Sequence, residues 1–296
     1  MSEKKDKDLL KKCRHKAEIP ITIVAIIITI LFTILVVFLF KSSATNQGAQ
    51  DFLINSLEYE ETDVDFALKS GKYLIIVIIL MLAIKLFWEL FKNAGIAVVN
   101  DIPIEESYDS VLFKEYKEYC RKLGIEKIPE IYLTTDKENL ESTGITIKSR
   151  KYLRLYLSIR DEADMFAEEN IIRFEFLHEL AHIAYHHYNY ALLLATIVVR
   201  WAPILRSIYS RTMCYSADRL AAEILGKEEC ITVLLKRYLQ STYEENKREE
   251  YIKRLDRKLT ISERISSILN NLTSDTPSYL YRIQALVKDD NKGRII

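Results

Sequence analysis

The sequence predicts a membrane-anchored α+β protein, mostly α, in which two N-terminal transmembrane helices precede a domain of about 200 residues carrying a small β-sheet. Three observations point there. Long apolar runs lie near the N-terminus, at Pro20 to Phe40 and at Tyr73 to Phe91. Only 7 Gly and 5 Pro punctuate 296 residues, which favours long helices over a turn-rich β architecture. Short alternating runs between Pro129 and Tyr156 read as strands. The 42 basic and 42 acidic residues cancel, so no global field points to nucleic acid as a partner.

Taken in chain order, residues 1–18 form a basic N-terminus, with Lys4, Lys5, Lys7, Lys11, Lys12, Arg14 and Lys16. Residues 19–41 hold the first span, whose uncharged run is long enough to cross a hydrocarbon core of about 30 Å as a helix. It is much longer than the apolar region of a signal peptide, although Ser42, Ser43 and Ala44 imitate a cleavage site. The 42–71 loop is acidic, and a second span occupies 72–91, with Lys85 able to snorkel from near its end. The excess of cations before the first span places both termini in the cytoplasm and the loop outside, as a multi-pass protein of the plasma membrane. Cys13, Cys120, Cys214 and Cys230 are widely spaced and form no disulfide framework, in keeping with a reducing compartment.

The domain at 92–296 opens with an amphipathic helix between Ile102 and Gly124, in which Leu112, Tyr116, Cys120 and Leu123 recur at helical spacing. Pro129 to Leu133 reads as a strand, and Gly144 to Lys148 with Tyr152 to Tyr156 alternates like a hairpin. The apolar stretch 191–209 contains Arg200, Pro203 and Arg206. A single crossing there would separate the residues on either side of it, and two crossings need more residues than are available. It is therefore expected to lie against the membrane or dip into it, with an ordinary core helix as the alternative. After Lys227 the chain is charged and helix-like.

Four of the five histidines fall between His178 and His187, and His178-Glu179-Leu-Ala-His182 forms an H-E-x-x-H motif. Positions four apart stack on one helix face, so His178 and His182 can turn two imidazoles towards one Zn2+ ion. Glu179 lies one step around the helix, where its carboxylate can act on a zinc-activated water as general base. The flanking residues are apolar nearly all round, the mark of a buried helix, and buried His and Glu need partners that a metal supplies. A solvated helix face rich in His and Glu is the bland alternative.

A catalytic zinc site needs a third protein ligand, and no Asp or Glu occurs between Ile183 and Met213. The next candidates are Cys214, Asp218 and Glu223. His186 and His187 follow on the same helix and cannot wrap an ion already held by His178 and His182. Tyr188 stands where a metzincin pattern needs its third His, which excludes that family.

Several motifs together resemble the HtpX-type membrane zinc metallopeptidases, relatives of the CAAX prenyl endopeptidase. They are two N-terminal spans, Asn139-Leu-Glu-Ser-Thr-Gly144 after a strand, the His178 helix, and Ser210-Arg-x-x-x-Tyr-x-Ala-Asp-Arg219. A weaker match is Thr276-Pro277 followed by Arg282-Ile-Gln-Ala-Leu286. The resemblance covers roughly residues 20 to 286 and implies a zincin-like metallopeptidase domain. It implies His178 and His182 as zinc ligands, Glu179 as general base and Asp218 as a carboxylate that orients a ligand histidine. A substrate peptide would align as an added strand along Gly144, Ile145 and Thr146. Three positions depart from the pattern: Cys214 where the family has its third ligand, a Glu; Leu140 for Ala; and Thr276 for His.

Cys214 leaves three readings open. A thiolate is a good zinc ligand; a carboxylate at Asp218 or Glu223 can take that role instead, with Cys214 inert; or the third ligand is lost. The expected function is a membrane-bound zinc metalloendopeptidase, its catalytic domain facing the cytoplasm, that cleaves membrane or misfolded proteins. The alternative is an inactive membrane scaffold of the same fold, a pseudopeptidase that binds protein partners.

Overall fold

The computed structural model of the chain describes residues 2–45, 70, 73, 76–81, 83–84, 87, 102–104, 110–134, 143–145, 151–156, 169–239, 242–255, 260–274, 276–288 and 293. These residues are mostly helical. The basic segment forms helix α1 (Ser2–Cys13), and the first apolar run forms α2 (Glu18–Thr45). Among the described residues, only Glu18–Phe38 is a helix long and apolar enough to cross a membrane. Ile23, Ile27, Leu31, Ile34 and Phe38 lie exposed along it, as an unpartnered span would leave them. Of the second apolar run, Tyr73, 76–81, 83, 84 and Phe87 are described and helical; the remainder, Lys85 included, falls outside the described residues, as does the 46–69 part of the loop.

The centre of the domain is a pair of helices, α4 (Glu169–Ala184) and α7 (Pro203–Leu225), which pack along each other. Neither has one apolar stripe, because both are covered on nearly every side. Phe176, Leu180, Ala181 and Ile183 of α4 meet Ala217 and Leu220 of α7 in one core, completed by Tyr116 and Cys120 of α3 (Ser110–Lys122) and by Leu123 just beyond it. Phe174, Leu177 and Ala221 meet Ile231 and Leu234 of α8 (Lys227–Leu239) in a second. After α9 (Arg248–Arg254) and α10 (Ile261–Thr273), Ile283 and Leu286 of the last described helix, α11 (Tyr279–Lys288), close that second core, so a C-terminal element is built into the centre.

Strands β1 (Ile102–Ile104), β2 (Glu130–Thr134), β3 (Thr143–Ile145) and β4 (Lys151–Tyr156) run in the order β1-β2-β4-β3. β3 and β4 pair antiparallel, Gly144 opposite Tyr152, while β2 and β4 are parallel. β4 runs beside α4, and β3 is the edge strand next to it, with β1 at the opposite edge. Gly144 and Ile145 lie on that edge; Thr146 falls outside the described residues. The Tyr116 hydroxyl donates to the Pro129 carbonyl at 3.0 Å, tying the entry to β2 to α3.

The 191–209 segment is broken into α5 (Tyr190–Ala195), α6 (Ile197–Trp201) and the start of α7. Pro203 sets the last break, since the residue before a proline is pushed out of the helical region and Ala202 is extended (φ −84°, ψ 112°). These pieces lie against α2, with Ala25 packed among Val199, Tyr209 and Met213. Leu194, Trp201, Ile204 and Leu205 remain exposed. The segment is neither one straight crossing nor one core helix.

Helix α4 ends in a tight turn that positions His187. The His187 amide donates to the His182 carbonyl and the His186 amide to that of Ile183, both at 3.0 Å, the paired bonds of a Schellman motif. The residue between must be left-handed, a place glycine usually takes, yet it is His186 at φ 59°. A non-glycine residue there costs about 1–2 kcal/mol, and glycine's extra freedom in the unfolded chain offsets about half of the relief. His186→Gly is therefore expected to stabilise the chain by about 0.5–1 kcal/mol, read as a higher denaturation midpoint.

Candidate metal centre

Buried imidazoles dominate the inner face of α4. His178 and His182 are both buried, their rings stacked edge to face with centroids 5.0 Å apart. Their Nε2 atoms approach to 3.3 Å. Two nitrogens bound to one tetrahedral ion at about 2.0–2.1 Å stand about 3.3–3.4 Å from each other, so the pair is spaced as two ligands of a shared ion would be. Glu179 lies between them in sequence and is buried.

The outer nitrogen of each ring is held by something else. His178 Nδ1 lies 2.9 Å from Asp218 Oδ1. A carboxylate only accepts, so Nδ1 carries a proton, and in the neutral ring Nε2 presents its lone pair towards His182. Asp218 is gripped in turn by Arg282 of α11, with Nε at 2.8 Å from Oδ2 and a terminal nitrogen at 2.5 Å from Oδ1. Burial raises the Asp218 carboxyl, but the Arg282 charge and the bonds from Arg282 and His178 outweigh it and bring it down to about 2. His182 Nδ1 faces His187 Nδ1 at 2.8 Å, and His187 Nε2 faces Glu18 at 3.3 Å. Burial holds both His182 and His187 below the ordinary histidine range.

Cys214 lies on α7 one turn before Asp218, buried and free of any disulfide. Among the described residues, His178, Cys214 and Asp218 form the one group that could hold a metal ion, each offering a ligand atom within 4.8 Å of the others. His182 stands outside that group and meets it through the Nε2 contact with His178. Glu223 is elsewhere. Its carboxylate pairs with Lys12 at 2.6 Å on the surface.

Three contributors to the centre escape motif reading. Arg282 stands in a tail match with no role attached, His187 is only one histidine in a cluster, and Glu18 marks only the boundary of an apolar run. A buried, charged residue in the first turn of a hydrophobic helix was the one available signal for Glu18, since such groups are retained with a partner.

In the Asp218–Arg282 pair the carboxylate is buried and the guanidinium largely so, and breaking it leaves the buried charge of Asp218 without its partner. Arg282→Met is expected to cost about 3–5 kcal/mol by denaturant titration at neutral pH. The pH dependence gives a second check. Because the folded Asp218 carboxyl sits below its unfolded value, its contribution is complete above about pH 4 and fades as pH falls towards 2. In Arg282→Met the folded carboxyl is no longer held down, so this loss of stability between about pH 4 and 2 should shrink or reverse.

A scan against models of known protein families, a search of curated proteins and a search of solved structures each returned no match to this chain.

Proposed function

We propose that the chain is a membrane-bound zinc metalloendopeptidase, similar to the HtpX-type enzymes, that hydrolyses peptide bonds in membrane or misfolded proteins. The observation that carries this reading is the pair of buried imidazoles with Nε2 atoms 3.3 Å apart, flanking a buried Glu179 in one helix. His178 and His182 would hold zinc, and Cys214 would complete the protein ligands. The occupied carboxylates favour Cys214. Both oxygens of Asp218 are taken by Arg282, one of them also by His178, and Glu223 is engaged with Lys12. Asp218 then orients His178 rather than binding the ion.

When bound, zinc would make its water acidic and polarise the scissile carbonyl. Glu179 accepts the water's proton and passes it to the leaving amine. The edge strand β3, beside a strand that runs along α4, offers backbone groups against which a peptide could align. α2 and the helical residues between 70 and 87 would anchor the domain in the bilayer with its active face in the cytoplasm.

Metal binding has a proton cost that can be measured. Burial disfavours the imidazolium of His178, yet the bonds it donates to Asp218 and Cys214 and the Asp218 charge outweigh this and raise it well above the usual histidine range. Zinc needs the neutral ring. Zinc binding is therefore expected to release at least one proton and to tighten as pH rises through neutrality, about tenfold per unit for each proton displaced. Calorimetry in buffers of different ionisation enthalpy reads the number.

Glu179→Gln should retain zinc and lose proteolysis of an unfolded or membrane substrate by several orders of magnitude, because the carboxylate acts on water and not on the metal. Loss of zinc in that variant would make Glu179 structural. The substitution at Cys214 favours a second reading, a non-catalytic scaffold of the same fold. Two measurements separate them. On the enzyme reading Cys214→Ser weakens zinc binding strongly, while Cys214→Glu retains or raises activity. A wild-type chain that holds zinc but cleaves nothing would speak for the scaffold.

A further inference from the structure

Glu18 sits at the foot of the apolar helix, with its side chain almost wholly buried. Its carboxylate meets three groups: Arg14 Nε at 3.1 Å, the Ser216 hydroxyl, and His187 Nε2 at 3.3 Å. Ser216 also receives the His15 amide at 2.8 Å, which ties the turn between α1 and α2 to the middle of α7. A carboxylate paired with an arginine only accepts, so the nitrogen of His187 that faces it must carry the proton. In the neutral ring the other nitrogen, Nδ1, is then an acceptor. It lies 2.8 Å from His182 Nδ1, which must therefore donate, and His182 Nε2 is left bare. That bare Nε2 is the atom 3.3 Å from His178 Nε2.

We propose that Glu18 is a positioning residue for the metal centre, acting through His187 to fix the tautomer and ring orientation of His182 so that its Nε2 is available to the ion. The inference rests on the reading that His178 and His182 hold a metal. It gives the centre two outer carboxylates of like function, Asp218 behind His178 and Glu18 behind His182. The reversed tautomer would turn the bare Nε2 of His187 towards the Glu18 carboxylate, lone pair against anion. The two carboxylates together thus aim both Nε2 atoms inward, 3.3 Å apart, where a proton or a metal ion lies between them. The backbone supports the chain of contacts, because the Schellman turn at His186 brings His187 back beside His182, and Arg200 donates to the His187 carbonyl at 3.3 Å. The apolar helix is in this sense part of the metal site as well as a candidate anchor.

The test uses the full chain in detergent, with zinc affinity measured by chelator competition and cobalt(II) substitution followed by its visible absorption. Glu18→Leu and His187→Phe are each expected to raise the zinc dissociation constant about 10–100-fold and to shift the cobalt bands. Glu18→Gln accepts the same hydrogen bond through its amide oxygen and should fall between wild type and Glu18→Leu. The double variant Glu18→Leu/His187→Phe should bind no more weakly than the worse single one, since both act through one chain of contacts. If Glu18→Leu fails to fold, Glu18→Gln and Ser216→Ala, which loosens the carboxylate from its other side, carry the same test with smaller shifts. Wild-type affinity and cobalt bands in the folded variants would overturn the role of Glu18 while leaving the metal reading intact. A wild-type chain that binds no zinc, or binds it equally well as His178→Ala, would overturn both.

Discussion

A carboxylate can accept hydrogen bonds but not donate them, and this one-way chemistry at two buried positions governs the rest of the centre. An imidazole has two nitrogens that exchange roles, so a cluster of buried histidines is undetermined until something at its edge fixes one proton. Asp218 does this for His178 at 2.9 Å, and Glu18 does it for His187, at 3.3 Å. Such groups are costly to bury, and each has recruited a guanidinium, Arg282 for Asp218 and Arg14 for Glu18. Arg282 lies on the last helix and Arg14 beside the first apolar one. The electrostatic needs of two carboxylates thus tie both ends of the chain to the α4–α7 pair.

The fold accommodates this by a break in the helices rather than by a loop. α4 and α7 must lie side by side so that Cys214 and Asp218 reach His178, yet an apolar stretch long enough to suggest a membrane crossing separates them. Pro203 and the turns around Thr196 and Ala202 divide that stretch into short helices that fold against α2 and return the chain along α4. The same packing buries Thr196 and Tyr209, and sets Arg200 over the Tyr209 ring at 5.4 Å. Arg200 thereby has a place among apolar neighbours, and it also holds the carbonyl of His187.

What could be read from the sequence follows the range over which each signal acts. The His178–His182 spacing is a property of one helical turn, and the Cys214–Asp218 spacing of another, so both were legible as candidate ligand and orienter. The buried character of α4 was legible from apolar residues on every side. The helix over 110–122 and strand β2 were likewise visible as local patterns, and the antiparallel pairing of β3 with β4 follows the alternation seen at 144–156. The partners that complete the centre were not visible in this way. Glu18 meets His187 and Arg282 meets Asp218 only because separate elements pack together, and no local period encodes that meeting. The return of His187 to His182 was hidden for a different reason: the left-handed position that makes the turn carries His186 in place of the glycine that would have announced it.

Cys214 poses a problem of reach as well as of chemistry. A thiolate would balance the charge of a zinc ion as a carboxylate would, so Cys or Glu at this position would give a site of two histidines and one anion the same net charge. A cysteine sulfur, however, stands only one bond beyond Cβ, whereas a glutamate oxygen stands three. The longer Zn–S bond, about 2.3 Å against about 2.0–2.2 Å for oxygen, recovers only a fraction of that difference. A ligand at this position therefore requires the backbones of α4 and α7 to approach closely. Ala181 on one helix and Ala217 on the other are both fully buried in the core the two helices share. Small residues in that core suit a short thiolate ligand, and bulkier residues at 181 or 217 would hold the sulfur away from the histidines.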